Sequence, residues 1–523
     1  MISDSFLQLV QRSLPFELTE VQRDVVRRMS NFIFKPADRS AYLLRGYAGT
    51  GKTFVMAAIV KVLHHLHRPV VLLAPTGRAA KVFSLHAGYP AYTIHKEIYR
   101  QRKRGDIDSH FDIDQNKHKD TVFIVDEASM ISNDGGSGIA TFGTGCLLND
   151  LVTYVYSSPG NRLVLLGDNA QLPPVGEDES PALNLEVLRS LDLNVSGYQL
   201  TTVMRQAEQS GILYNATNIR KLLHSQSSTD QTGLRTRLGH HAPQPKADLD
   251  LKPVNGQLSM LNGQCSMLNG QRSMVNVKLD GFSDVVRISG SEMAETLESD
   301  YGRYGMEQVV VVTRSNKRAV EYNLGIRNII FGREADLTPG DVIMVVRNNY
   351  YWLERLASER KNDVDDPLPT SFLANGDIGV VRRIIRRHEF YGLHFADVIV
   401  RFPDYDDLEM EVRVLLDALT SESPSLTAEQ SDRLYAGVLE DYAEIRTKAE
   451  RLRKLRMDPN YNALQIKYAY AVTCHKAQGG QWRNVYIDQG WLPPDGIDRS
   501  YYRWLYTAFT RATDRLYLVN WPE

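Results

Sequence analysis

Short apolar runs recur along this chain, each followed by a polar turn and a helical stretch, the layout of a layered α/β protein. The first run, Tyr42 to Leu44, leads through a glycine-rich turn into a helix that begins at Lys52. Pro69 to Ala74 predicts a second buried strand ending in a polar turn and a new helix, and Thr121 to Val125 and Arg162 to Leu166 repeat the theme. Runs this apolar suit strands covered on both faces, as in a parallel sheet. Ahead of them, Val21, Val25, Val26 and Met29 mark one face of an amphipathic helix, with Thr19 placed to cap it. Further on the pattern changes. Ala396 to Phe402 and Leu408 to Val414 alternate apolar with polar residues, predicting strands of a small barrel, and Arg515 to Asn520 predicts a last strand.

Three stretches interrupt this order. Gln101 to Asp120 is polar, charged and broken by Gly105, which suits a small protruding hairpin or surface loop. Between Ser225 and about Asp280 the pattern collapses around a repeated unit, NGQLSML, NGQCSML and NGQRSMV, starting at Asn255, Asn262 and Asn269. The seven-residue spacing invites a coiled coil, but Asn-Gly in each unit breaks a helix. The prediction is a flexible low-complexity insertion, with a short array of β-turns as the alternative. Leu426 to Met457 is charged, with acid–base pairs at helical spacing, and predicts a helical elaboration of the barrel. Asn348 to Trp352 clusters three aromatics after a strand; they suit either stacking on unpaired bases or core packing.

Composition narrows the class. A chain of 523 residues is too long for one core, so about three or four domains are expected. A net charge of −2 carries no signature of nucleic acid, yet a basic channel fits within a neutral whole. Cys146, Cys265 and Cys474 are too widely spaced for a disulfide framework or a zinc site. His64, His65 and His67 fall on a helix without a partner cluster and predict a solvated face. No apolar run approaches the ~20 residues that span a bilayer, and the N-terminus lacks a signal-peptide pattern. A cytoplasmic protein with no membrane partner is the expectation.

The chemistry centres on Gly46-x-x-x-x-Gly51-Lys52-Thr53. Gly46, Gly49 and Gly51, with Ala48 and Thr50 between them, allow the backbone to curl around a polyphosphate and aim its N–H groups inward. The helix starting at Lys52 adds its positive end, Lys52 can reach the β- and γ-phosphates, and the Thr53 hydroxyl can ligate Mg²⁺. The expected ligands are ATP and Mg²⁺. Gln22 carries an amide able to read an adenine edge. Thr76 and the backbone near Gly77 can hold a phosphate at a helix start, or form a plain strand-to-helix connection. Asp126 and Glu127 arrive at a strand's C-terminal end, the edge where open parallel sheets bind ligands. Asp126 is expected to hold the metal and Glu127 to take the proton of an attacking water. Gln171, after the Arg162 run, can touch both γ-phosphate and water. Arg205 is a candidate finger from a second domain.

Read together, GYAGTGKT, APTGRAA, TIHK, VDEAS, GDNAQLPPV and LTTVMRQ resemble successive motifs of superfamily 1 DNA helicases, in the wording of the 5′→3′ branch with RecD-like, Dda-like and Pif-like members. The run from Val309 to Asn316 with Asn323 and Arg327, Pro339 to Met344, Asn375 to Gly379, Ala469 to Gly479 and Leu505 to Ala512 continue the resemblance, in an AAA-type ATPase with UvrD-like C-terminal motifs. The resemblance implies two RecA-like P-loop motor domains, parallel sheets with flanking helices, and ATP in the cleft between them. It places a first motor domain over 1–200 with a hairpin or wedge at 97–120. A second would cover 201–379 and 467–523, carrying the 225–280 insertion. An SH3-like β-barrel would be inserted at 380–466. It implies that Arg205 and Arg511 reach the γ-phosphate, that Gln478 and Gly479 lie near the nucleotide, and that Thr76, His95, Thr473 and His475 line a single-strand channel. One position departs: where many members carry Glu two residues after the Gln-Gly pair, this chain has Gln481.

The expected function is therefore ATP-dependent unwinding of DNA in repair, recombination or replication, on single strands and on forked or tailed duplexes. The direction of travel follows from the resemblance alone. Two other readings are a motor subunit of a RecD-like nuclease complex, with nuclease or repair-complex partners, and an ATPase-inactive single-strand binding protein. A small-molecule kinase fits the phosphate loop but none of the later motifs.

Overall fold

The computed structural model describes residues 2–35, 38–101, 111–135, 143–201, 210–233, 275–360, 368, 372–490 and 497–521. Two helices, α1 (Ile2–Arg12) and α2 (Glu20–Phe34), precede β1 (Ser40–Gly46), α3 (Lys52–His65), β2 (Val70–Ala74), α4 (Gly77–Ala87), β3 (Ala91–Thr93) and the short α5 (Ile94–Ile98). After a hairpin of β4 (Tyr99–Gln101) and β5 (Phe111–Ile113) come β6 (Val122–Val125), α6 (Leu147–Tyr156), β7 (Arg162–Gly167), α7 (Leu185–Ser190) and β8 (Asn194–Leu200). The strands outside that hairpin form one parallel sheet in the order β3-β2-β6-β7-β1-β8. Helices cover both faces, which is why Leu43, Leu44, Val122 to Val125 and Leu163 to Leu166 are all buried.

A second parallel sheet, β16-β10-β17-β18-β9, is assembled from distant pieces. Helix α8 (Gly211–Gly233), β9 (Val285–Ile288), α9 (Gly290–Tyr304), β10 (Val309–Thr313) and α10 (Asn316–Gly325) supply its first half. After the barrel, β16 (Ala471–Thr473), α14 (Cys474–Ala477), β17 (Trp482–Asp488), α15 (Arg499–Phe509) and β18 (Ala512–Val519) complete it. Two α/β sheets of the RecA-like kind with an inserted barrel are thus the architecture, as the fold expectation had it.

The barrel opens earlier than the expected 380. It is closed by β11 (Val342–Val345), β12 (Ile378–Phe390), β13 (Leu393–Phe402), β14 (Leu408–Leu415) and β15 (Leu464–Tyr468). Pro339 to Met344 and Asn375 to Gly379, expected in the second motor domain, therefore belong at its start. The reason is local: Val-Ile-Met-Val reads like any buried parallel strand, and only its antiparallel partners, Val380 and Tyr468, reveal where it lies. Helix α11 (Tyr351–Glu359) follows β11 and holds Trp352, which is buried and donates Nε1–H to Asn462 O at 2.8 Å. Trp352 thus settles as core packing. The charged stretch before β15 forms two helices, α12 (Ala428–Asp441) and α13 (Lys448–Arg456). The repeats from Asn255 to Met274 and the hairpin tip at 102–110 lie outside the described residues. Among those described, no helix is long and apolar enough to cross a membrane.

One buried carboxylate ties barrel to sheet. Asp341, fully buried just before β11, accepts from Arg327 Nε and Nη2 at 3.0 Å each, from Arg333 Nη1 at 2.8 Å and from Tyr470 Oη at 2.9 Å. Burial alone would raise its pKa, but the Arg327 bonds and the Thr338 N–H outweigh it and hold the carboxyl below its ordinary value. Removing it leaves Arg327 buried and uncompensated, so Asp341→Ala is expected to cost about 3–5 kcal/mol in denaturant unfolding. A loss under about 1 kcal/mol contradicts this reading. Because the folded pKa is lowered, the contribution is present above the ordinary Asp range and is lost as pH falls through the lowered value.

Candidate nucleotide and nucleic-acid site

Parallel register decides which side chains meet. The β1–β7 and β6–β7 pairings bring the ends of three strands level, so the loop after Gly46, the Asp126-Glu127 pair and the turn from Asp168 to Gln171 share one edge. Gly49 and Gly51 take positive φ (74° and 80°), the left-handed backbone the loop's curl requires. Gly46 is needed for a second reason. A Cβ there would lie 2.8 Å from Lys52 Cγ and 2.9 Å from Leu200 Cβ. Lys52 folds back over its own loop, its ammonium bonded to the carbonyls of Gly46 and, at 3.2 Å, Tyr47.

Beside the loop, Thr53 Oγ1 donates to Asp126 Oδ2 at 2.9 Å, and Asp126 Oδ1 accepts from Glu127 N–H at 2.8 Å. A hydroxyl and a carboxylate oxygen side by side are the donor set a hard divalent cation takes, so Thr53 and Asp126 fit Mg²⁺. Burial raises the pKa of both acids. For Asp126 the Glu127 N–H and the Thr53 hydroxyl pull it back. For Glu127 the Arg511 guanidinium opposes the rise and the Asp126 charge adds to it. Glu127 itself stands at φ 52°, turned out of the strand direction. Gln171 is buried, and among the described residues its Oε1 has no hydrogen-bond partner. An orphaned acceptor at this edge is a place for a bound water or ligand.

Gln22 is engaged at both ends of its side-chain amide. Its Oε1 accepts from Thr19 N–H at 3.0 Å, closing a capping box on α2, and its Nε2 lies 3.4 Å from Thr50 O in the phosphate loop. It thus ties the N-terminal helix to the loop. Ala48 and Thr50 are bound within the same turn, Ala48 through Tyr506 and Thr50 through Tyr47 O.

The second sheet reaches this edge through α14 and α15. Gln478 Nε2 donates to Leu172 O at 2.7 Å, and Leu172 N–H donates to Thr507 Oγ1 at 2.9 Å. Arg511 is buried, with Nε on Thr507 O at 3.1 Å, Nη1 on Gly480 O at 3.2 Å and Nη2 on Thr510 Oγ1 at 3.1 Å. Its charge nonetheless acts on Glu127 across the cleft. Arg205, the other expected finger, lies outside the described residues.

Four residues were expected to line a nucleic-acid channel. Thr76 Oγ1 caps α4 by accepting from Ala79 N–H at 3.2 Å, and a Cβ at Gly479 would lie 3.0 Å from that oxygen. Thr76 and Gly479, assigned to different ligands, therefore share one junction between the sheets. Arg78 strengthens it, stacking 3.9 Å over the Trp482 ring and donating to Gln481 O. The barrel also closes on this turn, since a Cβ at Gly77 would sit 2.7 Å from Asp377 Oδ1. Thr473 precedes α14, where His475 is exposed. His95 is set differently: it packs against Tyr99, whose hydroxyl bonds Asp150.

Sequence reasoning missed several of these groups. Tyr506 and Thr507 were inside a recognised motif, but a buried tyrosine in an apolar helix looks like core. Tyr47, which accepts from Gln199 and lies under Arg220 at 3.9 Å, was not singled out within the loop motif. Its neighbour in sequence, Gly46, carried all the signal.

Known proteins bear on these contacts. Residues 17–226 match the AAA domain family, and residues 468–519 match the UvrD-like helicase C-terminal domain. The first match contains Lys52, Asp126, Glu127 and Gln171, and the second contains Gln478 and Arg511. Over 185 residues the chain is 30% identical to the ATP-dependent RecD2 DNA helicase of Deinococcus radiodurans, covering 35% of this chain and 22% of that protein. An uncharacterised protein of Acanthamoeba polyphaga mimivirus is 21% identical over 557 residues, covering 95% and 98% of the two chains. A solved Pif1 helicase from Candida albicans aligns over 97% of this chain and 95% of its own, at 15% identity and a TM-score of 0.41. An AAA domain match thus lies ahead of a UvrD-like helicase C-terminal match in one chain.

Burial lowers the His95 pKa to about 4, with Asp150 opposing. The ring is then neutral at working pH and offers no cation to a phosphate. Its NMR titration is expected near pH 4, and a midpoint near the ordinary 6.5 contradicts this. Because the unfolded chain binds the proton more readily, His95 subtracts stability as pH falls below about 6.5 towards 4.

Proposed function

We propose that this chain is an ATP-dependent DNA helicase that moves on single strands and opens forked or tailed duplexes, 5′→3′ by its resemblance. The observation that carries the proposal is the meeting of Lys52, Glu127 and Gln171, whose Oε1 has no partner among the described residues, on one sheet edge with Arg511 from the other sheet. A binding protein has no use for a half-buried carboxylate base facing a buried arginine across a phosphate loop.

In this reading the loop N–H groups and Lys52 hold the β- and γ-phosphates of ATP. Gln171 Oε1 accepts from the attacking water and fixes its position. Glu127 takes the water's proton as the new P–O bond forms and the bond to the ADP oxygen breaks. Its raised pKa makes it a stronger base than a free carboxylate. Arg511 lets go of Gly480 O and Thr510 to meet the charge spreading over the phosphoryl oxygens, and Arg205 is proposed to join it. Mg²⁺, held by Thr53 and Asp126, would supply charge neutralisation to the β- and γ-oxygens. Because Arg511 hangs from the second sheet, nucleotide state is converted into relative movement of the two sheets. Thr76, Thr473 and His475 then grip successive phosphates of the strand. The β4–β5 hairpin is proposed as the wedge, and the 225–280 insertion as a tether for repair or nuclease partners.

The test is steady-state ATP hydrolysis with and without single-stranded DNA. The wild-type chain is expected to be stimulated strongly. Glu127→Gln is expected to lose about 10²–10⁴-fold in rate while still binding nucleotide. The acid limb of the pH–rate profile is expected above the ordinary glutamate value, activity falling as Glu127 gains its proton. A rate indifferent to DNA, or to the Glu127 substitution, overturns the proposal.

A further inference from the structure

Helix α15 meets the first sheet through two consecutive hydroxyls. Tyr506 Oη accepts the Ala48 N–H at 2.8 Å and donates to Asp168 Oδ2 at 2.6 Å. Thr507 Oγ1 accepts the Leu172 N–H at 2.9 Å and donates to Arg503 O at 2.7 Å. Asp168 is buried too, its other oxygen accepting from Ala170 N–H at 2.9 Å.

We infer that Tyr506 is a positioning residue for hydrolysis, whose hydroxyl registers α15, and with it Arg511, against the phosphate loop and the β7 turn. The inference rests on the proposed function. Three features separate it from ordinary core packing. First, the ring needs no hydroxyl to fill its place, since Phe509 on the same helix is fully buried without one. Burying an O–H among apolar neighbours costs free energy unless both its bonds are made, and here both are made to the nucleotide edge. Second, the partners are functional segments: Ala48 lies in the phosphate loop, and Asp168 begins the turn that presents Gln171. Third, the register is passed on within the helix. Arg511 Nε is bonded to the carbonyl of Thr507, so a shift of α15 at Tyr506 and Thr507 moves the guanidinium directly. Burial, with the Asp168 charge beside it, holds the phenol far above its ordinary pKa, so it stays a donor at every working pH.

The test uses the full chain with Tyr506→Phe, which keeps the ring and removes only the hydroxyl. Three quantities are read with single-stranded DNA present: kcat and KM for ATP, and Tm. The expected result is a fall in kcat of about tenfold with KM within about twofold. Tm should stay within a few degrees of wild type. Asp168→Asn, which weakens the acceptor, is expected to lower kcat in the same direction. In the double variant with Arg511→Gln, the loss is expected to be no larger than for Arg511→Gln alone, since Tyr506 acts through that arginine. A kcat equal to wild type, a rise confined to KM, or losses that multiply in the double variant overturn the inference. A wild-type chain that hydrolyses no ATP overturns the function instead, which separates the two failures.

Discussion

The cleft depends on β1 being paired in parallel on both sides. Its registers with β7 (Ala41 opposite Leu163) and β8 (Ser40 opposite Asn194) fix where its C-terminal end falls relative to its neighbours. In a parallel sheet every strand end points the same way, so loops that are far apart in sequence open on one edge. The phosphate loop, Asp126, Glu127 and Gln171 lie together for that reason and no other. A slip of one residue would turn each strand's side chains to the opposite face and scatter the site.

The second constraint is the nature of the seam between the sheets. Part of it is apolar, with Tyr47, Ala170 and Leu172 joining the core of the second sheet. Around this patch, besides the Tyr506–Asp168 bond and the Arg78–Trp482 stack, Gln478 donates to, and Tyr506 and Thr507 accept from, backbone groups of the first sheet through single hydrogen bonds. Each such bond is worth only about 0.5–1.5 kcal/mol net, and water can replace it. A seam of this kind holds one register yet can be remade in another, which suits a cleft that opens and closes around a nucleotide. Within the second unit, the Arg327–Asp341 pair is the opposite case: buried, charged on both sides and expensive to break. The barrel is thus fastened rigidly to the sheet that carries Arg511.

What was legible in the sequence follows from these two constraints. A strand, a glycine turn and a helix in succession leave little freedom, so the phosphate loop, Lys52, Thr53, Asp126 and Glu127 could be placed by pattern and spacing. Gln171 was found because it follows a strand with the same period. The barrel's start was not, because β11 has the composition of a buried parallel strand and its direction of pairing is not written in its residues. Tyr506 was hidden for a similar reason: its hydroxyl's partners are 338 and 458 residues away. The position of His95 could be read from sequence, but its burial, which decides its charge, could not.

Whether groups from both sheets act on one nucleotide is seen in a crystal structure with Mg²⁺, a non-hydrolysable ATP analogue and a single strand. The γ-phosphate is expected in the loop after Gly46, with Lys52 withdrawn from the Gly46 carbonyl and Arg511 withdrawn from Gly480 O to contact the phosphate. A nucleotide bound elsewhere, or one seated in the loop with Arg511 still bonded to Gly480 O and Thr510, would contradict it.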